Sequence, residues 1–227
     1  MLNIGHRGAM GHAPENTLES IQLALEMGVD WMEIDVYAVE NELVVIHDDD
    51  LDRTTNGTGP VMEKTLTHLR SLDAGNGQQI PLLSEVVELM HNHSGGKVGL
   101  NIELKGPKTA APVIRFLENQ LPDDWPTDQI LLSAFDHSQL TEAKKLNPKY
   151  KRAPLYWMGK IDYTFVVQEL EAVGINPSLR MVTKEMVNEA HSHGLTVLVY
   201  TVNEKPDIER MREIGVDGIF TNFPDRV

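Results

Sequence analysis

The chain of 227 residues contains no cysteine. Disulfide bridges, thiolate zinc sites and a cysteine nucleophile are therefore excluded. Basic residues are also in the minority, with 20 Lys and Arg against 34 Asp and Glu and a formal net charge of −14. This balance argues against nucleic acid or an anionic membrane as the main partner, because both are negatively charged themselves.

Long hydrophobic runs are missing as well. Apolar strings such as 43–46 and 197–200 are far shorter than the roughly 20 residues that cross a bilayer. The first eight residues lack the basic stretch and the apolar stretch of roughly 7–15 residues that mark an export signal. We therefore expect a cytoplasmic protein that does not insert into a membrane.

The composition that is present, with 41% hydrophobic and 24% charged residues, is ordinary for a globular protein. Short apolar segments bounded by Gly, Pro or Asn alternate with segments of helical periodicity. The predicted strands are Leu2–Gly5, Met32–Val36, Val98–Leu104, Ile130–Ser133, Ala153–Tyr156, Val173–Asn176, Thr196–Val202 and Gly218–Thr221. The predicted helices are Thr17–Glu26, Ser84–Asn92, Thr109–Asn119, Ser138–Leu146, Asp162–Glu171, Thr183–His193 and Glu204–Glu213, with Asn16, Ser84 and Thr183 as helix caps.

Eight strands and seven helices in alternation predict the α/β class and a (β/α)8 TIM barrel without its last helix. A doubly wound open sheet is the alternative that this pattern leaves open. The rhythm breaks at about 37–82, where one connection takes far more than the usual roughly 2–6 residues. We predict a single catalytic barrel domain over residues 1–227, with this hairpin and loop segment inserted after the second strand.

The insertion is predicted to begin as a β-hairpin. Segments 32–39 and 43–47 are strand-like, and residues 40–42 form the expected turn. Folding the chain about Asn41 places His47 opposite Asp35. A polar loop follows at 48–59.

Polar side chains lie at the ends of several predicted strands, where barrel enzymes carry their functional groups. These are His6 and Arg7, Glu33 and Asp35, His47 at the end of the hairpin, and Glu103 and Lys105. Two residues at spacing i, i+2 in a strand point to the same face, so the pairs Glu33/Asp35 and Glu103/Lys105 would each face the barrel interior. The apolar neighbours Trp31, Met32, Ile34 and Val36 are assigned to the opposite face, against the helices.

Three carboxylates close together are costly unless a cation neutralises them. Glu33, Asp35 and Glu103 offer only oxygen ligands, which suits one Mg²⁺ or Ca²⁺, with Mn²⁺ also open. Arg7 and Lys105 would supply positive charge for an anionic phosphate group. His6 and His47 could then act as general acid and general base.

A series of motifs carries a family resemblance. They are His6-Arg7-Gly8, Pro14-Glu15-Asn16-Thr17, Glu33-x-Asp35, His47-Asp48, Leu51-x-Arg53-Thr54-Thr55-x-Gly57-x-Gly59, Glu103-x-Lys105, Leu132-Ser133-x-Phe135, Thr201-Val202-Asn203 and Thr221-Asn222-x-Pro224-Asp225. In this order and over almost the whole chain, the sequence resembles the glycerophosphodiester phosphodiesterases, most closely the short cytoplasmic bacterial type. The hairpin turn departs from the family pattern, since Ala38-Val39-Glu40-Asn41 stands where Thr-x-Asp-Gly is common.

The resemblance implies a metal-dependent phosphodiesterase whose substrate is a small molecule, a glycerophosphodiester, and whose products are sn-glycerol 3-phosphate and an alcohol. It implies His6 and His47 as the acid–base pair, Glu33, Asp35 and Glu103 as metal ligands, and Arg7 and Lys105 as phosphate-side residues. The attacking group would be the glycerol 2-hydroxyl, giving a cyclic phosphate, or a water molecule.

Two other functions stay open on the same site. The enzyme could act on lysophospholipids or other phosphodiesters, in the manner of a lysophospholipase D, or the chain could be a non-catalytic glycerophosphodiester-binding protein. Phe135, Trp157, Met158, Tyr200 and Phe223 fit either a substrate cleft or the core. The sequence also leaves open the metal, the head group, the order in which the histidines act and the formation of a homo-oligomer.

Overall fold

A closed barrel of parallel strands organises the computed structural model, which describes residues 1–227. The strands are β1 Leu2–His6, β2 Trp31–Val39, β3 Glu42–Val45, β4 Gly99–Leu104, β5 Ile130–Ala134, β6 Lys151–Tyr156, β7 Gly174–Pro177, β8 Thr196–Val199 and β9 Gly218–Thr221. All except β3 belong to the barrel, which closes because β1 pairs with both β2 and β9. The predicted TIM barrel is confirmed, and the open-sheet alternative is wrong.

Helices follow most of the barrel strands. They are α1 Leu18–Glu26, α2 Leu66–Arg70, α3 Leu83–Ser94, α4 Ala110–Asn119, α5 His137–Leu146, α6 Lys184–Ser192 and α7 Lys205–Ile214. The helix predicted at 162–171 is instead a π-helical turn at Phe165–Glu169, in which Leu170 N donates to the carbonyl of Phe165. After β9 the structure has a short 3-10 turn rather than a further α-helix, as predicted. None of these helices is long and apolar enough to cross a membrane.

The caps differ from the prediction at two of three helices. Thr183 caps α6 as expected, but α3 begins at Leu83, so Ser84 lies inside it. Thr17 caps α1, since its Oγ1 accepts a hydrogen bond from the backbone N–H of Ser20. Asn16 therefore does not cap the helix, and its backbone takes the left-handed conformation at φ 57°.

The core lies mainly between the barrel and its helices. On β2, Met32, Ile34 and Val36 pack into this layer, which leaves Glu33 and Asp35 facing inward as predicted. The assignment of Trp31 is wrong. Trp31 has the same parity as Glu33, and it packs inside the barrel with a cluster that includes Leu131.

The insertion after β2 has an apolar core of its own, which includes Tyr37, Val44, Leu51, Leu69 and Ile80. Its hairpin turns through only two residues, both with positive φ, 49° at residue 40 and 70° at residue 41. Such two-residue turns match the right-handed twist of paired strands.

The short turn changes the predicted register by one residue. Val36 pairs with Val45, and the N–H of Ile46 donates to the carbonyl of Asp35 at 3.0 Å. The prediction that His47 lies opposite Asp35 is therefore wrong. His47 follows the end of the strand, and this position lets it reach the mouth of the barrel.

Candidate active site

The predicted site residues converge at the carboxyl ends of β1, β2 and β4. His6 is in register with Glu33, and Asp35 is in register with Glu103. A cavity of about 280 Å³ opens there, and its lining includes His6, Arg7, Glu33, His47 and Glu103. The remaining two predicted residues adjoin these groups, because Asp35 lies beside Arg7 and the Lys105 Nζ is 3.1 Å from Glu103 Oε1.

The three acids form a buried cluster. Glu33, Asp35 and Glu103 are 3%, 0% and 8% exposed, and one oxygen from each lies within 4.8 Å of the other two. Burial, followed by the negative charge of Asp35, raises the pKa of Glu103 to about 7. The same two causes raise the pKa of Glu33 well above its ordinary value. The cluster therefore resists carrying three negative charges by itself.

The acidic cluster fits a hard divalent cation. Asp35 Oδ1 is buried and has no hydrogen-bond partner, whereas Oδ2 accepts a hydrogen bond from Asn16 Nδ2 at 2.9 Å. An orphaned carboxylate oxygen in a protein interior is costly unless something positive binds it. An all-oxygen donor set of this kind suits Mg²⁺ or Ca²⁺.

Arg7 ties the loop after β1 to the acids. Its backbone N–H donates to Glu33 Oε2 at 3.0 Å, and its Nε lies 3.1 Å from Asp35 Oδ2. Its Nη1 donates to Glu15 Oε1 at 2.8 Å. Arg7 therefore partly offsets the charge of the cluster while it lines the cavity.

The two histidines are held by different partners. His6 Nδ1 lies 2.8 Å from Asn222 Oδ1, and since an amide oxygen can only accept, this contact leaves Nε2 unprotonated when the ring is neutral. Burial, and next the charge of Arg7, lowers the pKa of His6 to about 4. His47 Nδ1 lies 2.5 Å from Asp48 Oδ1. Both rings border the cavity.

The structure adds residues to which the sequence analysis gave no role in the site. Asn16 supports Asp35, and Asn222 supports His6. Asn101 and Ser133 lie deeper in the same cavity, joined by a 3.0 Å hydrogen bond from Nδ2 to Oγ. Strand parity could have identified Asn101, because it precedes Glu103 by two residues and so faces inward.

Aromatic side chains line the cavity at the ends of β5, β6 and β8. We call Phe135, Trp157 and Tyr200 the aromatic wall. The rings of Phe135 and Tyr200 meet edge to face at 5.8 Å, while Phe135 and Trp157 are 45% and 53% exposed. These three residues are therefore cleft residues. Phe223 instead packs against His12, 5.4 Å between ring centroids.

Comparison with known proteins agrees with this geometry. The sequence model of the glycerophosphoryl diester phosphodiesterase family matches residues 6–226. The chain belongs to this family. The predicted enzyme class, a glycerophosphodiester phosphodiesterase, is thereby confirmed. Members of the family use a divalent cation, in keeping with the carboxylate cluster.

Several relatives match over nearly their whole length. A glycerophosphodiester phosphodiesterase of Caldanaerobacter subterraneus subsp. tengcongensis is 36% identical, with 99% of this chain and 95% of the relative covered. One from Bacillus altitudinis is also 36% identical, with 97% and 94% covered. Among solved structures, an Oleispira antarctica phosphodiesterase in complex with the product sn-glycerol-3-phosphate superposes with a TM-score of 0.90 at 31% identity, covering 98% of this chain and 93% of that one.

Proposed function

We propose that this phosphodiesterase hydrolyses glycerophosphodiesters to sn-glycerol 3-phosphate and an alcohol, with one divalent cation held by Glu33, Asp35 and Glu103. The observation that carries the proposal is the buried acidic cluster with its orphaned Asp35 oxygen, set in a cavity that both histidines border. The product complex of the Oleispira relative supports the choice of substrate. Mg²⁺, Ca²⁺ and Mn²⁺ are all candidates for the cation.

His6 is proposed as the general base. Its Nδ1 proton is held by Asn222, and its lowered pKa keeps Nε2 free to accept a proton at neutral pH. His6 Nε2 would take the proton of the attacking hydroxyl, either the 2-hydroxyl of the glycerol or a water molecule. The oxygen then forms its bond to phosphorus as the bond to the leaving alcohol breaks.

His47 is proposed as the general acid. Asp48 at Nδ1 balances the positive charge of a doubly protonated ring, so Nε2 can give its proton to the leaving alkoxide. If the first step forms a cyclic phosphate, water opens it with the two roles exchanged. Arg7 and Lys105 hold positive charge beside the phosphate, while a bound cation supplies Lewis-acid stabilisation of its oxygens.

We further propose that residues 1–227 act as one catalytic unit. The barrel strands provide His6 and the acids, and the insertion at about 37–82 provides His47 with its partner Asp48. The insertion has an apolar core of its own, and its strand β3 pairs with the barrel strand β2, Val45 opposite Val36. The insertion would thus complete the site.

Metal depletion and add-back tests the proposal. The protein is treated with a chelator, and release of sn-glycerol 3-phosphate from glycerophosphocholine is followed after adding Mg²⁺, Ca²⁺ or Mn²⁺ separately. We expect no turnover in the chelated protein and recovery with at least one cation. Full activity of the chelated protein would refute the metal-dependent mechanism.

The aromatic wall favours a second candidate, hydrolysis of lysophospholipids at the same site. Exposed Phe135 and Trp157 could cover an acyl chain, and burial of apolar surface would add to binding. Parallel assays with lysophosphatidylcholine and glycerophosphocholine distinguish the two candidates. A Trp157→Ala variant should lose activity selectively on the lipid if this candidate is right. We do not favour a non-catalytic binding role, because the chain belongs to a phosphodiesterase family and carries the acids and histidines that such a reaction needs.

A further inference from the structure

Arg53 lies between two carboxylates at the edge of the site. Its Nε and Nη2 donate to the two oxygens of Asp48 at 2.6 and 2.9 Å. Its Nη1 and Nη2 donate to the two oxygens of Glu15 at 2.7 and 2.8 Å. Such forked pairs fix direction as well as distance, so Arg53 sets the orientation of both carboxylates.

Asp48 in turn orients the ring of His47 through a hydrogen bond. Hydrogen bonds from Arg53, the main cause, hold the pKa of Asp48 well below its ordinary value, so the carboxylate can only accept. The contact of 2.5 Å between Asp48 Oδ1 and His47 Nδ1 therefore places the proton on Nδ1. Nε2 is then the ring nitrogen available to a substrate. A hydrogen bond at one nitrogen of an imidazole commonly fixes the tautomer and the orientation of the ring in this way.

Glu15 joins this arrangement to the acid cluster. Its Oε1 accepts from both Arg53 Nη2 and Arg7 Nη1 at 2.8 Å. Its side chain is only 9% exposed, whereas that of Arg53 is 49% exposed. Burial disfavours the charge of Glu15, yet the hydrogen bonds from Arg53 and the charge of Arg7 outweigh it and lower its pKa to about 2. The ionised Glu15 carboxylate thus holds both Arg7 and Arg53 through one shared oxygen.

We propose that Glu15 and Arg53 are positioning residues, which act through Asp48 to hold the His47 ring with Nε2 directed at the phosphodiester. Neither residue is required to touch the substrate. The inference rests on the proposed role of His47 as general acid. It differs from a purely mechanical role, in which the same contacts only fasten the insertion to the barrel.

A matched control is present in the insertion itself. Arg70 on α2 donates to both oxygens of Glu85 on α3 at 2.7 and 2.6 Å. This pair also fastens the insertion to the barrel, but neither residue borders the cavity. Arg70→Gln therefore removes a forked ion pair of the same kind without touching the support of His47.

The test compares Arg53→Gln, Glu15→Gln and Arg70→Gln by kcat, KM and melting temperature. Glycerophosphocholine is the substrate, and the cation that restores activity in the add-back assay is present at saturation. We expect kcat to fall about 10- to 100-fold in the first two variants, with KM changed less than about threefold. Arg53→Lys keeps the charge but not the fork, so its kcat should lie between those of the wild type and Arg53→Gln. Arg70→Gln should keep its kcat, even with a lower melting temperature.

A second readout reports the ring directly. Nitrogen-15 NMR of labelled histidine at pH 8.5, with the His47 signals assigned from a His47→Gln variant, should show the Nδ1–H tautomer in the wild type and a mixture in Arg53→Gln. Unchanged kcat in Arg53→Gln, an equal loss in Arg70→Gln, or an unchanged tautomer would each overturn the proposal. A wild type inactive with each of Mg²⁺, Ca²⁺ and Mn²⁺ would refute the proposed function instead, and the tautomer would still test the positioning.

Discussion

Glu103 on β4 lies directly beside Asp35 on β2, in register, and both carboxylates are buried. Without a bound cation, the proximity of these two carboxylates destabilises the folded protein. The pKa of Glu103 is raised to about 7 in the folded protein, so between about pH 4.5 and 7 the folded state binds more protons than the unfolded one. The stability of the metal-free protein should therefore fall as the pH rises through this range.

Glu103→Gln should stabilise the metal-free protein at pH 8. Removal of the buried charge should raise the free energy of unfolding by about 1–3 kcal/mol, because one pKa unit corresponds to about 1.4 kcal/mol. The variant should also lose turnover, and its stability should fall less steeply with pH, because only the raised pKa of Glu33 remains. Urea denaturation of chelated protein at pH 5 and pH 8 measures this. A variant less stable than the wild type at pH 8 would contradict the account.

Cation binding should release protons. Because the metal-free protein holds protons on its acids near neutral pH, a cation must displace them, and its affinity should rise with pH through about 7, where Glu103 ionises. Calorimetric titration with Mg²⁺ in two buffers of different ionisation enthalpy, at pH 6 and pH 8.5, counts the released protons. Equal counts at the two pH values would show that the acids are already ionised.

Loss of either histidine should abolish the chemistry and spare the fold. His6→Ala and His47→Ala should each lower kcat by about 10²–10⁴-fold, the usual contribution of a positioned acid or base. Mg²⁺ affinity and melting temperature should stay close to those of the wild type. His191→Ala is the control, since His191 pairs with Asp217 on the surface. Near-normal kcat in both site variants would remove the histidines from the mechanism.

The contribution of Asn222, which holds the Nδ1 proton of His6, should be measurable separately from that of His6 itself. Asn222→Leu removes the oxygen that holds the Nδ1 proton, so the neutral ring can place its proton on Nε2 instead and block the proposed base. We expect kcat to fall about 10- to 100-fold, less than in His6→Ala. Steady-state kinetics of both variants on glycerophosphocholine decide this, and an equal or greater loss in Asn222→Leu would contradict it.

The barrel and its acidic cluster could be predicted because both depend on local periodicity. Strand parity alone places Glu33 and Asp35 on the inward face, and their distance from Glu103 follows from the neighbouring strands of a parallel barrel. The hairpin register could not be predicted in the same way. It depends on whether the turn uses two residues or three, and one residue decides which face a side chain takes.

The contact between Glu15 and Arg53 had no local signal. Glu15 and Arg53 are 38 residues apart, and only the packing of the insertion brings them together. The prediction that Asn16 caps a helix was wrong for a different reason. An asparagine before a helix usually caps it, but here Thr17 does so and Asn16 turns to Asp35. Side chains that support a site from another loop thus emerge only with the tertiary structure.

The central claim is that Glu33, Asp35 and Glu103 hold one cation beside both histidines. The most direct test is a crystal structure of the protein grown with Ca²⁺, with the ion located by its anomalous scattering. We predict one ion with an oxygen of each of the three acids at about 2.3–2.6 Å. A calcium-saturated crystal with no ion among these carboxylates, or with the ion bound elsewhere in the cavity, would contradict the account.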